Sequence, residues 1–370
     1  MRRLLVCLTA LAYLLLTFAP NASAVLVHHR TQEPPTPPTA PPPPPLPKGW
    51  ILVDADTGAV LDEGNAHEAM RPASVTKVLT ALIAVEQLQP DADIPISAEA
   101  QGMPARTMNM KAGQVWKFED VLHALLMVSA NDAAVAIAEK ISGSRQAFAD
   151  QMTLAAQRLG MTDAPVLHDP AGLDDEFSND GGNLLSAHDL AIAARALLAN
   201  DQLRQIVGTQ IYKFHGGDGN DHRLLNEDRL LKAYPGAIGV KSGYTTRAGH
   251  SFIGAATRNG RTMLAVVMGA PDFYRSTEGL LDKGFGIPVD AEGGLAHLPP
   301  VVQATALAQP AKAVPLQATQ QPSPRAFPVS TDDTVRAARD LIWVGLVALP
   351  VLYLAFRLYA SRRRRRYLFR

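Results

Sequence analysis

The sequence predicts an α+β fold for residues 49–286, which lie between two compositionally biased segments. Apolar runs of strand length lie at both ends of this body, and apolar residues at helical spacing fill its middle. A hairpin, then helices, then an antiparallel meander is the element order of an α+β domain whose two ends can share one sheet.

The body begins with a predicted hairpin and a helix. Residues 50–53 and 60–61 are apolar and flank Asp56-Thr57-Gly58, a turn sequence typical of β-hairpins. Apolar residues then recur three and four positions apart over residues 75–88, which predicts an amphipathic helix.

The middle of the body is predicted to be helical. The same spacing predicts four more helices, at residues 118–128, 133–141, 145–159 and 187–199. Ser186 and Asp189 form a capping box at the start of the last of these helices.

The pattern changes to strands from Gly239 onwards. Residues 252–256 and 263–268 are strand-like, and the turn dipeptide Asn259-Gly260 joins them. Residues 276–285 predict a closing helix.

The N-terminal end has the layout of a secretory signal peptide over residues 1–24. Arg2 and Arg3 precede an apolar run, and the small residues Ala22-Ser23-Ala24 mark a cleavage point. An uncleaved anchor is the alternative, although the run is short for a membrane span. Residues 25–48 are rich in proline and predict an extended linker.

The C-terminal end predicts a membrane anchor. Residues 287–337 are rich in Ala, Pro and Gln and predict a disordered stalk, with a small β-domain as the alternative. Residues 338–360 reach the length of a transmembrane helix, and residues 361–370 form a basic tail with five consecutive arginines.

The basic tail also sets the expected topology. Basic residues that flank a span stay in the cytoplasm, so we expect an extracytoplasmic body anchored to the plasma membrane, with only residues 361–370 inside. A polybasic flank beside a span is ordinary membrane electrostatics, so no nucleic-acid partner is expected.

Composition excludes several kinds of chemistry. The formal net charge is +0 at pH 7, so bulk charge implies no partner. The single cysteine, Cys7, lies in the predicted signal, which excludes disulfides, thiol catalysis and cysteine–zinc sites from the mature chain. The ten histidines show no two-histidine helix motif, and Asp218-Gly219-Asn220-Asp221 lacks the closing glutamate of a calcium loop. No metal and no other cofactor is therefore predicted.

Ser74-Val75-Thr76-Lys77 places a hydroxyl and an amine three residues apart at a predicted helix start. Residues at i and i+3 share a helix face, so Ser74 can act as a nucleophile and Lys77 as its base. An ammonium cannot accept a proton, but burial beside a second cation such as Lys241 would lower the pKa of Lys77. A helix cap with a solvated lysine is the alternative for this string alone.

Ser129-Ala130-Asn131 interrupts a helical stretch. The hydroxyl of Ser129 can pass a proton between a leaving group and the base, and Asn131 can hold a substrate carbonyl and contact Lys77. A simple helix–helix corner capped by Asn131 is the alternative.

Lys241-Ser242-Gly243 lies in a predicted strand and supplies a cation, a hydroxyl and a position where another backbone can come close. The backbone N–H groups of Ser74 and Tyr244 can face each other as an oxyanion hole. An exposed turn is the alternative. Together the three strings provide what acyl transfer through a serine ester needs.

The chain resembles the serine D-alanyl-D-alanine carboxypeptidases, which are the low-molecular-mass penicillin-binding proteins. The resemblance rests on the three strings and on two further segments, Ala171-Gly172-Leu173-Asp174 and Ser186-Ala187-His188-Asp189-Leu190. The resemblance covers about residues 49–286. It implies a β-lactamase/DD-peptidase-like fold, in which helices flank an antiparallel sheet and form an all-helical subdomain. It also implies that β-lactams acylate Ser74.

The resemblance assigns roles to the catalytic residues. Ser74 would attack the bond between two D-alanines of a peptidoglycan stem peptide, with Lys77 as the base. Ser129 would relay the proton, and Asn131 would position the substrate.

The resemblance also assigns a substrate-binding strand that includes Gly243 and Tyr244. Lys241 and Ser242 would engage the terminal carboxylate of the substrate. Arg275 falls where the family often has a carboxylate-binding arginine, although Met268-Gly269-Ala270-Pro271 departs from the usual sequence there.

Two other functions compete with this interpretation. A class A β-lactamase shares the first and third strings but needs a glutamate near an asparagine, for which Glu176 and Asn179 are the nearest candidates. A non-catalytic wall-binding scaffold has no physical reason to retain all the functional side chains. The balance of carboxypeptidase, endopeptidase and transpeptidase activity stays open.

Overall fold

The computed structural model describes residues 46–104 and 106–301. The described residues form these strands: β1 (Gly49–Asp54), β2 (Val60–Gly64), β3 (Asp93–Pro95), β4 (Val115–Lys117), β5 (Ile211–His215), β6 (Asp221–Leu225), β7 (Ala237–Thr245), β8 (Gly249–Arg258) and β9 (Arg261–Met268). Five of them form one antiparallel sheet in the order β2-β1-β9-β8-β7, while β3-β4 and β5-β6 are separate two-stranded pairs. Strand β7 therefore forms one edge of the main sheet.

The same residues form these α-helices: α1 (Lys77–Gln87), α2 (Ala98–Gln101), α3 (Phe118–Met127), α4 (Asn131–Ser142), α5 (Arg145–Leu159), α6 (Ala187–Ala199), α7 (Asp201–Gly208), α8 (Leu230–Ala233) and α9 (Phe273–Gly286). A 3₁₀ turn, Ala73–Thr76, leads directly into α1. Helix α1 contacts α3, α4, α5 and α6, so it lies at the centre of the helical part of the molecule.

Both faces of the sheet are covered. Ile253 and Val266 point into the larger core, which includes side chains from α1 to α7, whereas Phe252 and Val267 point into a smaller core that includes Leu281 of α9. This alternation follows the period of two along a strand. A sheet buried on both faces needs apolar residues on both sides of its strands, which is why residues 252–256 of β8 and 263–268 of β9 carry no polar side chain.

The predicted α+β architecture with an antiparallel sheet is confirmed. Strand β1 pairs with β9, so the two ends of the body share one sheet, with Ile51 opposite Val266. The helix predicted over residues 75–88 begins later, at Lys77, because the preceding residues form the 3₁₀ turn. The β5-β6 hairpin was not predicted, since its strands are short and half polar.

Residues 287–301, which the sequence assigns to the stalk, lie against the body. Leu298 is 4% exposed, and its N–H donates to the carbonyl of Gly58 at 2.9 Å. The guanidinium of Arg195 donates to the carbonyl of Pro299 at 2.9 Å. The packed region therefore extends beyond the boundary predicted at residue 286.

Within residues 46–104 and 106–301, none of the helices combines the length and the apolar character needed to cross a bilayer. The predicted signal at 1–24, most of the 25–48 linker, the rest of the stalk, the predicted span at 338–360 and the 361–370 tail all lie outside these residues.

Candidate active site

Ser74 lies in the 3₁₀ turn that precedes α1, where it is half-buried and borders a cleft. Two glycines allow other segments to approach this turn closely. A Cβ at Gly243 would lie 2.8 Å from the backbone nitrogen of Ser74, and a Cβ at Gly172 would lie 2.0 Å from the carbonyl oxygen of Ala73. The turn is therefore held between β7 and the segment around residue 172.

Lys77 is the first residue of α1 and is 0% exposed. Its Nζ lies 2.9 Å from Ser74 Oγ, 2.8 Å from Asn131 Oδ1 and 2.7 Å from the carbonyl oxygen of Ala171. The sequence predicts the first two contacts. It gives no signal for the third, because any residue type can supply a backbone carbonyl.

These three contacts suit a neutral amine. Asn131 Nδ2 donates to the carbonyl of Pro104 at 3.0 Å, which directs its Oδ1 towards Lys77. Asn131 Oδ1 and the Ala171 carbonyl can only accept, so together they take both N–H bonds of a neutral amine. In the ammonium form the third N–H donates to Ser74 Oγ, whereas in the neutral form the lone pair is left to accept from the Ser74 hydroxyl, which is the geometry of a base.

The surroundings lower the pKa of Lys77 well below its ordinary value, first by burial and then through the charge of Lys241. The carboxylates of Asp169 and Asp132 act in the opposite direction. Lys241 is itself 2% exposed, and burial together with Arg106 lowers its pKa to about 7. Two buried lysines thus make it costly for both amines to be charged at once.

Ser129 and Asn131 lie at the junction of α3 and α4. Ser129 has a φ of 62°, in the left-handed region, and is 6% exposed. Asn131 begins α4, and its backbone N–H donates to the carbonyl of Arg106 at 2.7 Å. The break in the helical pattern therefore places a hydroxyl and an amide on the cleft wall, as the sequence predicts.

The edge strand β7 supplies the opposite wall. Ser242, Gly243, Tyr244 and Thr245 border the cleft. Lys241 is buried, and its Nζ donates to the carbonyl of Ser242 at 2.9 Å. Lys241 is not among the described residues that border the cleft, so its effect there is electrostatic in this structure.

The cleft has a volume of about 550 Å³. The sequence analysis missed several of its lining residues, which are Arg106, Glu227, Arg229, His250, Phe273 and Tyr274. They come from loops, from the start of β8 and from the start of α9, and no local motif marks them. Arg275 follows two of them in the first turn of α9 but is exposed and does not line the cleft.

The loop from His168 to Asn183 supports the site from behind. Asp169 is 0% exposed, and its Oδ1 accepts from the backbone N–H groups of Ala171 and Leu173 at 2.9 and 3.1 Å. Asn183 Nδ2 donates to Thr76 Oγ1 at 3.2 Å, which ties this loop to the nucleophile turn. The Ala171 carbonyl that contacts Lys77 is therefore rigidly placed.

The structure does not support the residues named for the β-lactamase alternative. Glu176 is exposed and does not line the cleft. Asn179 is engaged in the supporting loop, where its Nδ2 donates to the carbonyl of His168 at 2.8 Å. Among the described residues, Glu227 does line the cleft, but it forms an ion pair with Arg106.

Comparison with known proteins identifies the class. A family model described as D-alanyl-D-alanine carboxypeptidase matches residues 39–272. The D-alanyl-D-alanine carboxypeptidase DacB2 of Mycobacterium tuberculosis is 34% identical over 251 residues, which cover 66% of this chain and 84% of that protein.

Two solved structures are also similar. The D-alanyl-D-alanine carboxypeptidase from Mycobacterium tuberculosis H37Rv superposes with a TM-score of 0.63 and 32% identity, covering 70% of this chain and 99% of that one. Penicillin-binding protein D2 of Listeria monocytogenes, in its ampicillin-bound form, superposes with a TM-score of 0.57 and 25% identity, covering 65% and 97% of the two chains.

These matches define a serine-type peptidase with the penicillin-binding-protein fold. The chain belongs to the D-alanyl-D-alanine carboxypeptidase family, so the resemblance stated from its motifs is confirmed.

Proposed function

We propose that this protein removes the terminal D-alanine from peptidoglycan stem peptides through an acyl-enzyme on Ser74. The contact of a buried Lys77 with Ser74 Oγ carries the proposal, because it pairs a hydroxyl with an amine of lowered pKa. The family membership supports the choice of substrate.

Acylation follows from the geometry. The lone pair of neutral Lys77 takes the proton from the Ser74 hydroxyl as its oxygen attacks the carbonyl carbon between the two D-alanines. The backbone N–H groups of Ser74 and Tyr244 then stabilise the developing oxyanion. The side-chain amide of Asn131 holds both the base and a substrate carbonyl.

The leaving D-alanine needs a proton, and Ser129 is placed on the cleft wall to pass it from Lys77. Ser242 offers a hydroxyl to the terminal carboxylate, and Lys241 adds positive charge behind Ser242. Arg229 also borders the cleft and can pair with the same carboxylate. Water then hydrolyses the ester, with Lys77 again as the base.

The proposal is tested by incubating the full-length chain with a peptide that ends in D-Ala-D-Ala and measuring free D-alanine. We expect release by the native chain, none by Ser74→Ala, and unchanged release by the control Ser142→Ala. Ser142 ends α4 and does not line the cleft, and its Oγ has no hydrogen-bond partner among the described residues. Release that survives Ser74→Ala would rule out the acyl-enzyme.

β-Lactams are proposed as covalent inhibitors for the same reason, since their strained amide can be attacked by Ser74. The ampicillin-bound form of the related Listeria protein supports this. We expect a labelled penicillin to form a long-lived adduct, whereas rapid turnover of the penicillin would indicate a β-lactamase.

We also propose that the body is extracytoplasmic and anchored by a C-terminal helix. The signal-like residues 1–24, the apolar residues 338–360 and the basic residues 361–370 support this topology. Alkaline phosphatase fused after residue 337 should be active because it is exported, and the same enzyme fused after residue 370 should be inactive. The reverse pattern would contradict the topology.

A further inference from the structure

A second group of reactive side chains lies apart from the cleft. His67 follows β2, Asp163 follows α5, and His188 lies in the first turn of α6. Each offers one ligand atom, and these atoms all lie within 4.8 Å of one another. None of the three residues lines the cleft, so the chemistry proposed above does not account for them.

The distances fit a small cation. His67 Nδ1 lies 3.0 Å from both oxygens of Asp163, and His188 Nδ1 lies 3.5 Å from Asp163 Oδ2. A tetrahedral zinc ion with bonds of about 2.0–2.1 Å separates neighbouring ligand atoms by about 3.3–3.4 Å. The two pairs that include Asp163 are therefore close to this spacing, and all three ligand atoms lie within 4.8 Å of one another.

The hydrogen bonding leaves a ligand atom available. Within the described residues, His188 Nδ1 is buried without a hydrogen-bond partner. Oxygens of Asp189 and Asp163 each lie 3.5 Å from this nitrogen, so both contacts are long, and the two carboxylates favour the protonated ring when no metal is bound. A metal ion would satisfy the lone pair of this imidazole nitrogen, which a neutral histidine in the correct tautomer provides.

One outer group that orients a ligand is present, since Ser186 Oγ donates to Asp163 Oδ2 at 2.6 Å. Glu63 Oε2 lies 3.9 Å from His67 Nε2, which is beyond hydrogen-bond distance, so it adds only negative charge near the site. The His67 side chain is 56% exposed while those of Asp163 and His188 are 14% exposed, so an ion can enter from solvent and keep a water ligand.

We propose that His67, Asp163 and His188 bind one zinc ion, with water in the fourth position. Two imidazoles and one carboxylate suit zinc, whereas Mg²⁺ and Ca²⁺ prefer all-oxygen sites. No local sequence motif predicts this site, because its three ligands come from segments that are distant in the sequence.

The position of the cluster indicates a structural role. His67 precedes the nucleophile turn, and the intervening Met70 exchanges backbone hydrogen bonds with Leu185 at 2.9 and 2.8 Å. The N–H of His188 donates to the carbonyl of Ala66 at 2.9 Å. Zinc would cross-link the segment that leads into Ser74 to the start of α6 and to the chain after α5.

Zinc titration of the full-length chain tests the site. His28→Asn/His29→Asn serves as the background, because that pair in the linker can bind metal on its own. Calorimetry at pH 7.5 should give one zinc per chain, and the melting temperature should rise by about 5 °C at a hundredfold excess over Kd. Co²⁺ should give the visible absorption of a tetrahedral complex, and Mg²⁺ and Ca²⁺ should give neither effect.

Variants separate this site from adventitious binding. His67→Asn and His188→Asn should each weaken zinc binding at least tenfold and abolish the Co²⁺ spectrum. The matched control His215→Asn should change neither, since His215 pairs with Asp221 at 2.9 Å without a third ligand. The exposed side chain of His67 makes that variant safe for folding, which circular dichroism without metal would verify.

Zinc affinity should also fall at least tenfold between pH 7.5 and pH 5.5, because protonated imidazoles cannot bind metal. Saturable binding that is unchanged in both histidine variants, or no saturable binding at pH 7.5, would overturn the proposal. The D-alanine assay is independent of these readouts, so failure of one proposal does not obscure the other.

Discussion

At the scale of single residues, the site depends on the protonation state of Lys77. Its neighbours Asn131 Oδ1 and the Ala171 carbonyl take two N–H bonds and leave the third direction for Ser74. Burial is what makes this state accessible, since desolvation penalises the charged form.

Replacing Lys77 by arginine should remove the base while keeping a cation. Arginine does not lose its proton in proteins, so Lys77→Arg should slow acylation by labelled penicillin about 10²–10⁴-fold. The exposed Lys232→Arg is the control and should leave the rate unchanged. Acylation of Lys77→Arg at the native rate would show that another group accepts the proton.

Asp228 affects the pKa of Lys241 and, through Lys241, the pKa of Lys77. It is 4% exposed, its Oδ1 accepts from the N–H of Leu230 at 2.8 Å, and its charge raises the pKa of Lys241, which burial and Arg106 lower to about 7. Burial raises the pKa of Asp228 itself to about 6, so it is charged above that pH.

Asp228→Asn should therefore move the acidic limb of the kcat/KM profile to higher pH. Without this carboxylate the pKa of Lys241 falls below about 7. A neutral Lys241 no longer lowers the pKa of Lys77, which rises, so more alkaline conditions are needed to free the base. A shift of roughly half to one pH unit is expected, with Asp290→Asn as an exposed control. A shift to lower pH would contradict the coupling between the two lysines.

At the scale of elements, the nucleophile turn is held by close backbone contacts, and Gly172 supplies the tightest. Its φ is +76°, and an added Cβ would lie 2.0 Å from the Ala73 carbonyl oxygen. Gly181, in the same loop, has a φ of +80° with nothing within 4 Å of an added Cβ. The two glycines therefore share a left-handed backbone conformation, but an added Cβ would collide with the backbone only at Gly172.

Gly172→Ala should slow acylation by about 10²-fold, because the nucleophile turn must shift. Gly181→Ala should change the rate less than about twofold, although each substitution costs about 1–2 kcal/mol of folding free energy for a left-handed alanine. Equal acylation rates for the two variants would mean that the turn does not need this contact. Stopped-flow measurement with a fluorescent penicillin gives both rates.

The sequence could predict the elements with strong periodicity. Strands β8 and β9 and helices α3, α5 and α6 are long and apolar enough to be found near their observed bounds. The short β5-β6 hairpin and the 3₁₀ turn at Ser74 were missed, because tertiary contacts rather than local propensity define them.

At the scale of the whole molecule, the fold brings distant segments to one cleft. Ser74, Asn131 and Ser242 come from a turn, a helix start and an edge strand, and their short motifs were enough to predict them. Arg229, His250 and Tyr274 were not predicted, because their place in the cleft depends on how separate elements pack together rather than on a local motif. The His67, Asp163 and His188 cluster was missed for the same reason.

Peptide mapping by mass spectrometry after incubation of the full-length chain with penicillin tests the central claim most directly. A penicilloyl group on the peptide that contains Ser74, absent from Ser74→Ala, is the predicted result. A penicilloyl group on any other residue, or one that persists in Ser74→Ala, would contradict the site described here.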